Sequence, residues 1–105
     1  MKCAFGNKHL QDLYTKGRSK KYLAVASTPQ LPRKFVMRVQ QLEAAVSIYD
    51  LWKSPGLKFE QLHGGNRCSI RVDGGWRLEF EVAWADDPPT KGDVTICELS
   101  NHYGD

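Results

Sequence analysis

Cysteine is scarce in this 105-residue sequence and odd in number. Cys3, Cys68 and Cys97 lack the spacing of metal ligands, and three thiols cannot all pair within the chain. Free thiols in a reducing cytoplasm are expected, not a disulfide frame or a zinc site. No apolar run approaches the roughly 20 residues needed to cross a bilayer. The opening MKCAFGNKHL holds no apolar stretch and no small-residue cleavage site, so no secretory signal is expected. Internal repeats and linkers are missing, which predicts one domain over residues 1–105. A nucleophile triad and a dinucleotide fingerprint are missing too. Gly64–Gly65 and Gly74–Gly75 are expected turn glycines, because no helix follows either pair. No cofactor is expected.

Basic residues are nearly absent from the last third. Residues 72–105 hold 2 Lys and Arg against 8 Asp and Glu, whereas residues 1–71 hold 13 against 4. The net charge of +3 therefore hides a basic first part, suited to a polyanion, and an acidic remainder.

What is present is an α+β pattern. Lys2–Phe5 predicts a first strand. Asn7 can cap a helix over Lys8–Thr15, with Leu10, Leu13 and Tyr14 on one face, and Gly17 ends it. The stretch Arg18–Ser27 carries no clear period. Leu31, Phe35, Val39, Leu42 and Val46 recur at helical spacing behind Thr28 or Gln30 as cap, with Pro29 or Pro32 in the first turn. Arg33, Lys34, Arg38, Gln40 and Gln41 lie off that stripe. Ser54, Pro55 and Gly56 break the chain. Leu57–His63, Arg67–Val72, Trp76–Trp84 and Asp93–Leu99 predict strands. The third alternates strictly, and the last is apolar on both faces, as an interior strand should be. The expected order is β-α-α-β-β-β-β, an antiparallel sheet packed on two N-terminal helices.

Parity sets the hairpin register. Ile70 and Val72 must share a face with Trp76 and Leu78, because a slip by one residue would bury arginines. A three-residue loop, Asp73–Gly75, then pairs Val72 with Trp76. Arg71 falls opposite Arg77, Ser69 opposite Glu79, and Arg67 opposite Glu81. Like charges facing each other on a sheet cost about 0.2–1 kcal/mol. Two readings offset that cost. An anion such as phosphate bridges the guanidinium forks, or Glu79 or a carboxylate from another element neutralises them.

His63 beside Gly64 and His102 beside Tyr103 are candidates for proton transfer near neutral pH. Cleavage of RNA by its 2′-OH requires a base, an acid and cations for the charged phosphorane, and these residue types supply them. His9, inside the first helix, is expected to be structural or solvent-facing.

The stretch Ser69-Ile70-Arg71-Val72, then Trp76-Arg77-Leu78-Glu79-Phe80, resembles the hairpin of the HigB-type plasmid-maintenance killer proteins. Phe5, Lys8, Leu10, Leu13 and Lys16-Gly17 resemble their opening helix. Leu62-His63-Gly64 resembles their turn before the hairpin, and Val94–Leu99 with His102 their closing strand. The resemblance covers nearly the whole chain. It implies a RelE-like fold and a toxin of a type II toxin–antitoxin pair, acting in the cytoplasm. That toxin is a metal-independent mRNA interferase: an endoribonuclease that cuts messenger RNA on the ribosome and inhibits translation. The implied partners are a helix-turn-helix (HigA-like) antitoxin, the ribosome and mRNA, with no membrane. Arg71 and Arg77 take phosphate-binding and transition-state roles, and His102 the place of the terminal histidine. Lys16, Lys20, Lys21 and Arg67 contact the RNA backbone. The sequence departs from the family at Ser100-Asn101-His102-Tyr103, where Asp-Tyr-His is usual, so Tyr103 would stand in for the tyrosine. The His63–Arg71 segment is also shorter, so His63 matches either a catalytic histidine or the lysine of the family's turn. Two other functions suit the same chain: a non-catalytic poison of the ParE type, and a plain RNA-binding module. The last predicts aromatic platforms on the exposed sheet face. Alternation puts Arg and Glu there instead.

Overall fold

In the computed structural model, which describes residues 1–26, 28–62 and 65–101, Asn7 starts the first helix. Its backbone is extended and its side chain accepts from Leu10 N at 3.0 Å, so α1 (Lys8–Lys16) begins with one of its end N–H groups satisfied. Gly17 follows at φ 74°, in the left-handed region, and donates its N–H to Leu13 O at 3.0 Å. The long helix is α3 (Leu31–Ala44). Gln30 precedes it, Pro32 lies in its first turn, and it buries Leu31, Phe35, Val39 and Leu42.

Val46 does not continue that stripe. Ala45 turns extended with ψ 136°, ending the helix, and Val46 is 73% exposed. Two short helices complete the layer. One, α2 (Leu23–Ala26), falls in the stretch without a clear period. The other, α4 (Ile48–Trp52), starts where Ser47 Oγ accepts from Tyr49 N at 3.3 Å. Among the described residues the helical layer thus has four helices, where the sequence predicts two.

Among the described residues five strands form one sheet: β1 (Cys3–Phe5), β2 (Glu60–Gln61), β3 (Arg67–Asp73), β4 (Trp76–Trp84) and β5 (Gly92–Asn101), in the order β1-β5-β4-β3-β2. It is mixed, not wholly antiparallel, because β1 runs parallel to β5. A strand separated from its neighbour by the helical layer can pair in either direction, whereas the short loops joining β3, β4 and β5 impose antiparallel pairing. The candidate strand Leu57–His63 shrinks to Glu60–Gln61. Pro55–Leu57 winds into a 3₁₀ turn, and Lys58 adopts φ 45° after it. His63 lies outside the described residues.

Parity in the hairpin holds through Arg71. Arg67 faces Glu81, Ser69 faces Glu79, Ile70 faces Leu78 and Arg71 faces Arg77. Beyond that, Asp73 and not Val72 pairs with Trp76. Val72 is the extra residue of a bulge, and the loop contracts to Gly74–Gly75, with Gly74 at φ 56°. A bulge also corrects the reading of β5. Glu79 pairs with Glu98 and Phe80 with Ile96, so Cys97 is the extra residue. The bulge resets parity, and Val94, Ile96 and Leu99 all reach the core from one face. Apolar residues on both parities reflect this shift and not a strand buried on both sides.

The stripe of α3, Leu10 and Leu13 of α1, and Ile70, Val72, Leu78, Phe80 and Val82 of the sheet make one core, with Trp76 and Trp84 packed against its margin. Among the described residues no helix is long and apolar enough to cross a membrane.

Gly92 shows how tightly β4 and β5 approach. A Cβ there would sit 2.0 Å from Ala83 O on the neighbouring strand. Gly92→Ala is expected to destabilise the protein by about 1–3 kcal/mol, the range for overpacking, because backbone cannot swing aside as a side chain can. Denaturant melts check this, and wild-type stability would contradict the pairing.

Candidate functional site

The open face of the sheet is set by the same alternation that buries its other face. Arg67, Ser69 and Arg71 leave β3 on that side, and Arg77, Glu79 and Glu81 leave β4. Between the hairpin and the Lys58–Leu62 segment lies a cleft of about 480 Å³. Lys58, Glu60, Leu62, Ser69, Arg71, Arg77 and Glu79 line it, with Gly74 and Gly75 at the turn.

Arg77 is held in place mainly by neutral oxygens. Its Nε donates to Ser69 Oγ at 2.9 Å, and one terminal nitrogen donates to Lys58 O at 2.6 Å and Ser69 O at 3.3 Å. The side chain is only 15% exposed. Glu60 approaches it at 4.0 Å from an exposed position, a long contact in a screened place. Arg71 Nε donates to Gly74 O at 3.2 Å. Among the described residues Arg71 makes no ion pair.

Glu79 serves other partners. One of its oxygens accepts from Arg67 Nε at 3.4 Å and from a terminal Arg67 nitrogen at 3.3 Å, and the other from Ser100 Oγ at 2.8 Å. Arg67 also reaches Glu81 at 3.2 Å. Between two carboxylates, Arg67 has its charge largely matched, unlike the arginine pair beside it. Both ways to offset the facing arginines stay open: among the described residues Glu60 approaches Arg77 at 4.0 Å, and Glu79 borders the same cleft.

On the far flank, α3 reaches the start of the hairpin. Arg38 Nε donates to Arg71 O at 2.9 Å, and Lys34 Nζ meets Asp73 Oδ1 at 3.1 Å. Burial, then the charge of Arg71, lowers the Arg38 pKa below the usual arginine value, with Asp73 opposing. The guanidiniums of Arg38, Arg71 and Arg77 and the Lys34 ammonium thus gather at the turn end of the hairpin, with Asp73 among them.

No protein-family model matches this chain, and no curated protein does.

The structure brings Arg71 and Arg77 together as parity required. It does not bring the lysines to them. Lys16 pairs with Asp12 at 3.7 Å on exposed α1, and Lys20 borders a shallow hollow with Arg18 and Leu23. Lys21 Nζ lies 5.6 Å from the Tyr22 ring. None of the three lines the cleft. His63, His102 and Tyr103 lie outside the described residues. His9 Nδ1 lies 3.4 Å from Ser19 Oγ, away from the cleft, as its structural reading expects.

Sequence reasoning missed Lys58, Glu60 and Arg38. Only Ser69 left a signal, since it shares a strand face with Arg71 two residues on. The thiols do not offer a nucleophile. Burial pushes Cys68 up to about 11, and burial with Glu43 nearby does the same for Cys3. Among the described residues no group of three His, Cys, Asp or Glu suits a metal ion.

Proposed function

We propose that this protein is a RelE-fold toxin similar to the HigB killer proteins, an endoribonuclease that cuts messenger RNA on the ribosome and is silenced by a helix-turn-helix antitoxin. The observation that carries the reading is the facing pair Arg71–Arg77 in an open cleft, with Arg77 oriented by neutral acceptors. A guanidinium fixed by carbonyl and hydroxyl oxygens keeps its charge for a ligand, and two side by side match the oxygens of a phosphodiester. Layering supports the fold: helices cover one face of the sheet, and the cleft lies on the other.

In the proposed reaction a base takes the proton of a ribose 2′-OH, and that oxygen attacks the neighbouring phosphorus. The bond to the 5′ oxygen then breaks, and an acid protonates the leaving oxygen. Arg71 and Arg77 hold the phosphate and stabilise the charge that grows on its oxygens. His102, Tyr103 and His63 are the proposed proton carriers. Glu60, in the cleft and largely exposed, is a further candidate base. The basic lysines of α1 and the loop after it sit outside the cleft, where they suit backbone contacts farther along the RNA or on the ribosome.

Induction of the toxin followed by mapping of mRNA ends, with and without ribosomes, tests this. Cuts within ribosome-bound messages are expected. Growth arrest with intact mRNA would overturn the nuclease reading in favour of a non-catalytic poison.

A further inference from the structure

The strand that carries Arg71 is only partly supported on its outer side. β2 is two residues long and pairs with Ser69 and Cys68. Arg67 O is still covered, by Leu62 N at 2.7 Å. Arg71 O points to the same outer side, past the reach of β2, and Arg38 Nε takes the place of a strand there. Since this carbonyl turns away from β4, Arg71 and Arg77 form a non-hydrogen-bonded pair, the kind whose side chains approach more closely.

One residue further the chain bulges at Val72, and Asp73 is bound by Lys34. The bulge is thus gripped on both sides from α3. The spacing fits. Lys34 and Arg38 are one helical turn apart, about 6 Å along the axis, and Arg71 and Asp73 are two strand residues apart, about 6.6 Å. Gln41 Oε1, one turn on, accepts from Arg38 at 2.7 Å and steadies it. The three form a polar flank beside the stripe of Leu31, Phe35, Val39 and Leu42, which anchors the helix in the core.

We propose that Lys34 and Arg38 are positioning residues that lock the bulged register of β3 and so aim Arg71 into the cleft. The proposal deepens the nuclease reading and rests on it for its kinetic consequence. Its geometric content stands apart, because it concerns where the Arg71 side chain lies. Arg38→Met keeps length and apolar stem but removes the donor, and Lys34→Met does the same for the ion pair.

Two measurements test the lock. The first is NMR of the Arg71 Nε–H in the free protein. Its shift and order should change in Arg38→Met and recover partly in Arg38→Lys, while the amides of β4 and β5 stay as in wild type. The second is cleavage of ribosome-bound mRNA. kcat should fall about 10- to 100-fold with KM within about threefold, as expected for a displaced group. Adding Arg71→Ala should cost less in Arg38→Met than in wild type, because both changes weaken the hold of the Arg71 guanidinium on the phosphate, although the carbonyl that Arg38 binds is kept. An unchanged Arg71 signal in Arg38→Met overturns the lock whatever the activity. Losses that simply multiply with Arg71→Ala overturn it as well. An Arg71→Ala protein as active as wild type would overturn the nuclease role of Arg71 instead, and the NMR result would still decide the lock.

Discussion

Arg77→Ala is expected to cut ribosome-bound mRNA about 10²–10³-fold more slowly than wild type, the usual loss when one charge-stabilising donor is removed. The effect should fall on kcat, because the charge it meets grows only in the transition state. Parity alone places this side chain off the apolar face and predicts that folding survives its loss. The structure adds a cost. Arg77 binds Ser69 Oγ, with Ser69 only 2% exposed, and ties the Lys58 carbonyl to the strand. Leaving those oxygens without a donor should destabilise the protein by about 1–3 kcal/mol. Arg77→Lys separates the two effects. It keeps a charge but cannot span Ser69 and Lys58 together, so activity should recover only in part. Single-turnover cleavage and a thermal melt of each variant are the measurements. A folded Arg77→Ala protein that cuts at the wild-type rate would remove the cleft from the reaction.

His102→Ala is expected to slow cleavage on the order of 10²–10⁴-fold. Two arginines can bind and stabilise a phosphorane, but neither can take or give a proton near neutral pH. Among the described residues no histidine lines the cleft, and His9 is engaged with Ser19. In the proposed reaction the proton carriers are His102, Tyr103 and His63, with Glu60 of the cleft a further candidate. A histidine leaves a mark: a limb in the pH–rate profile near its ordinary pKa of about 6.5. That limb should vanish in His102→Ala and persist in His63→Ala if His63 is a turn residue. A profile unchanged by His102→Ala, with His63→Ala or Glu60→Gln strongly impaired, would reassign the role.

The parts of the fold that the sequence revealed are those governed by local period. Asn7 and Gly17 mark the ends of α1 by their own chemistry, and the stripe from Leu31 to Leu42 needs no partner to be seen. The alternation of β4 was enough to oppose Arg71 and Arg77. What escaped depends on distant residues. Bulges at Val72 and Cys97 change parity without changing composition, so from sequence alone one reads as a longer loop and the other as a two-faced strand. The direction of β1 is decided by β5, some ninety residues away. The site divides in the same manner. The arginine pair lies on adjoining strands and was legible, whereas Lys58, Glu60 and Arg38 meet it only through tertiary folding.

The sheet ends in two residues of β2 on one side and three of β1 on the other. Long bare borders let foreign strands zip on and seed insoluble aggregates. Here a visiting strand would find little backbone to grasp along β2, and just past it a charged side chain already occupying the Arg71 carbonyl. Arg38 thus also caps that border, where its loss would free a single carbonyl beside the cleft.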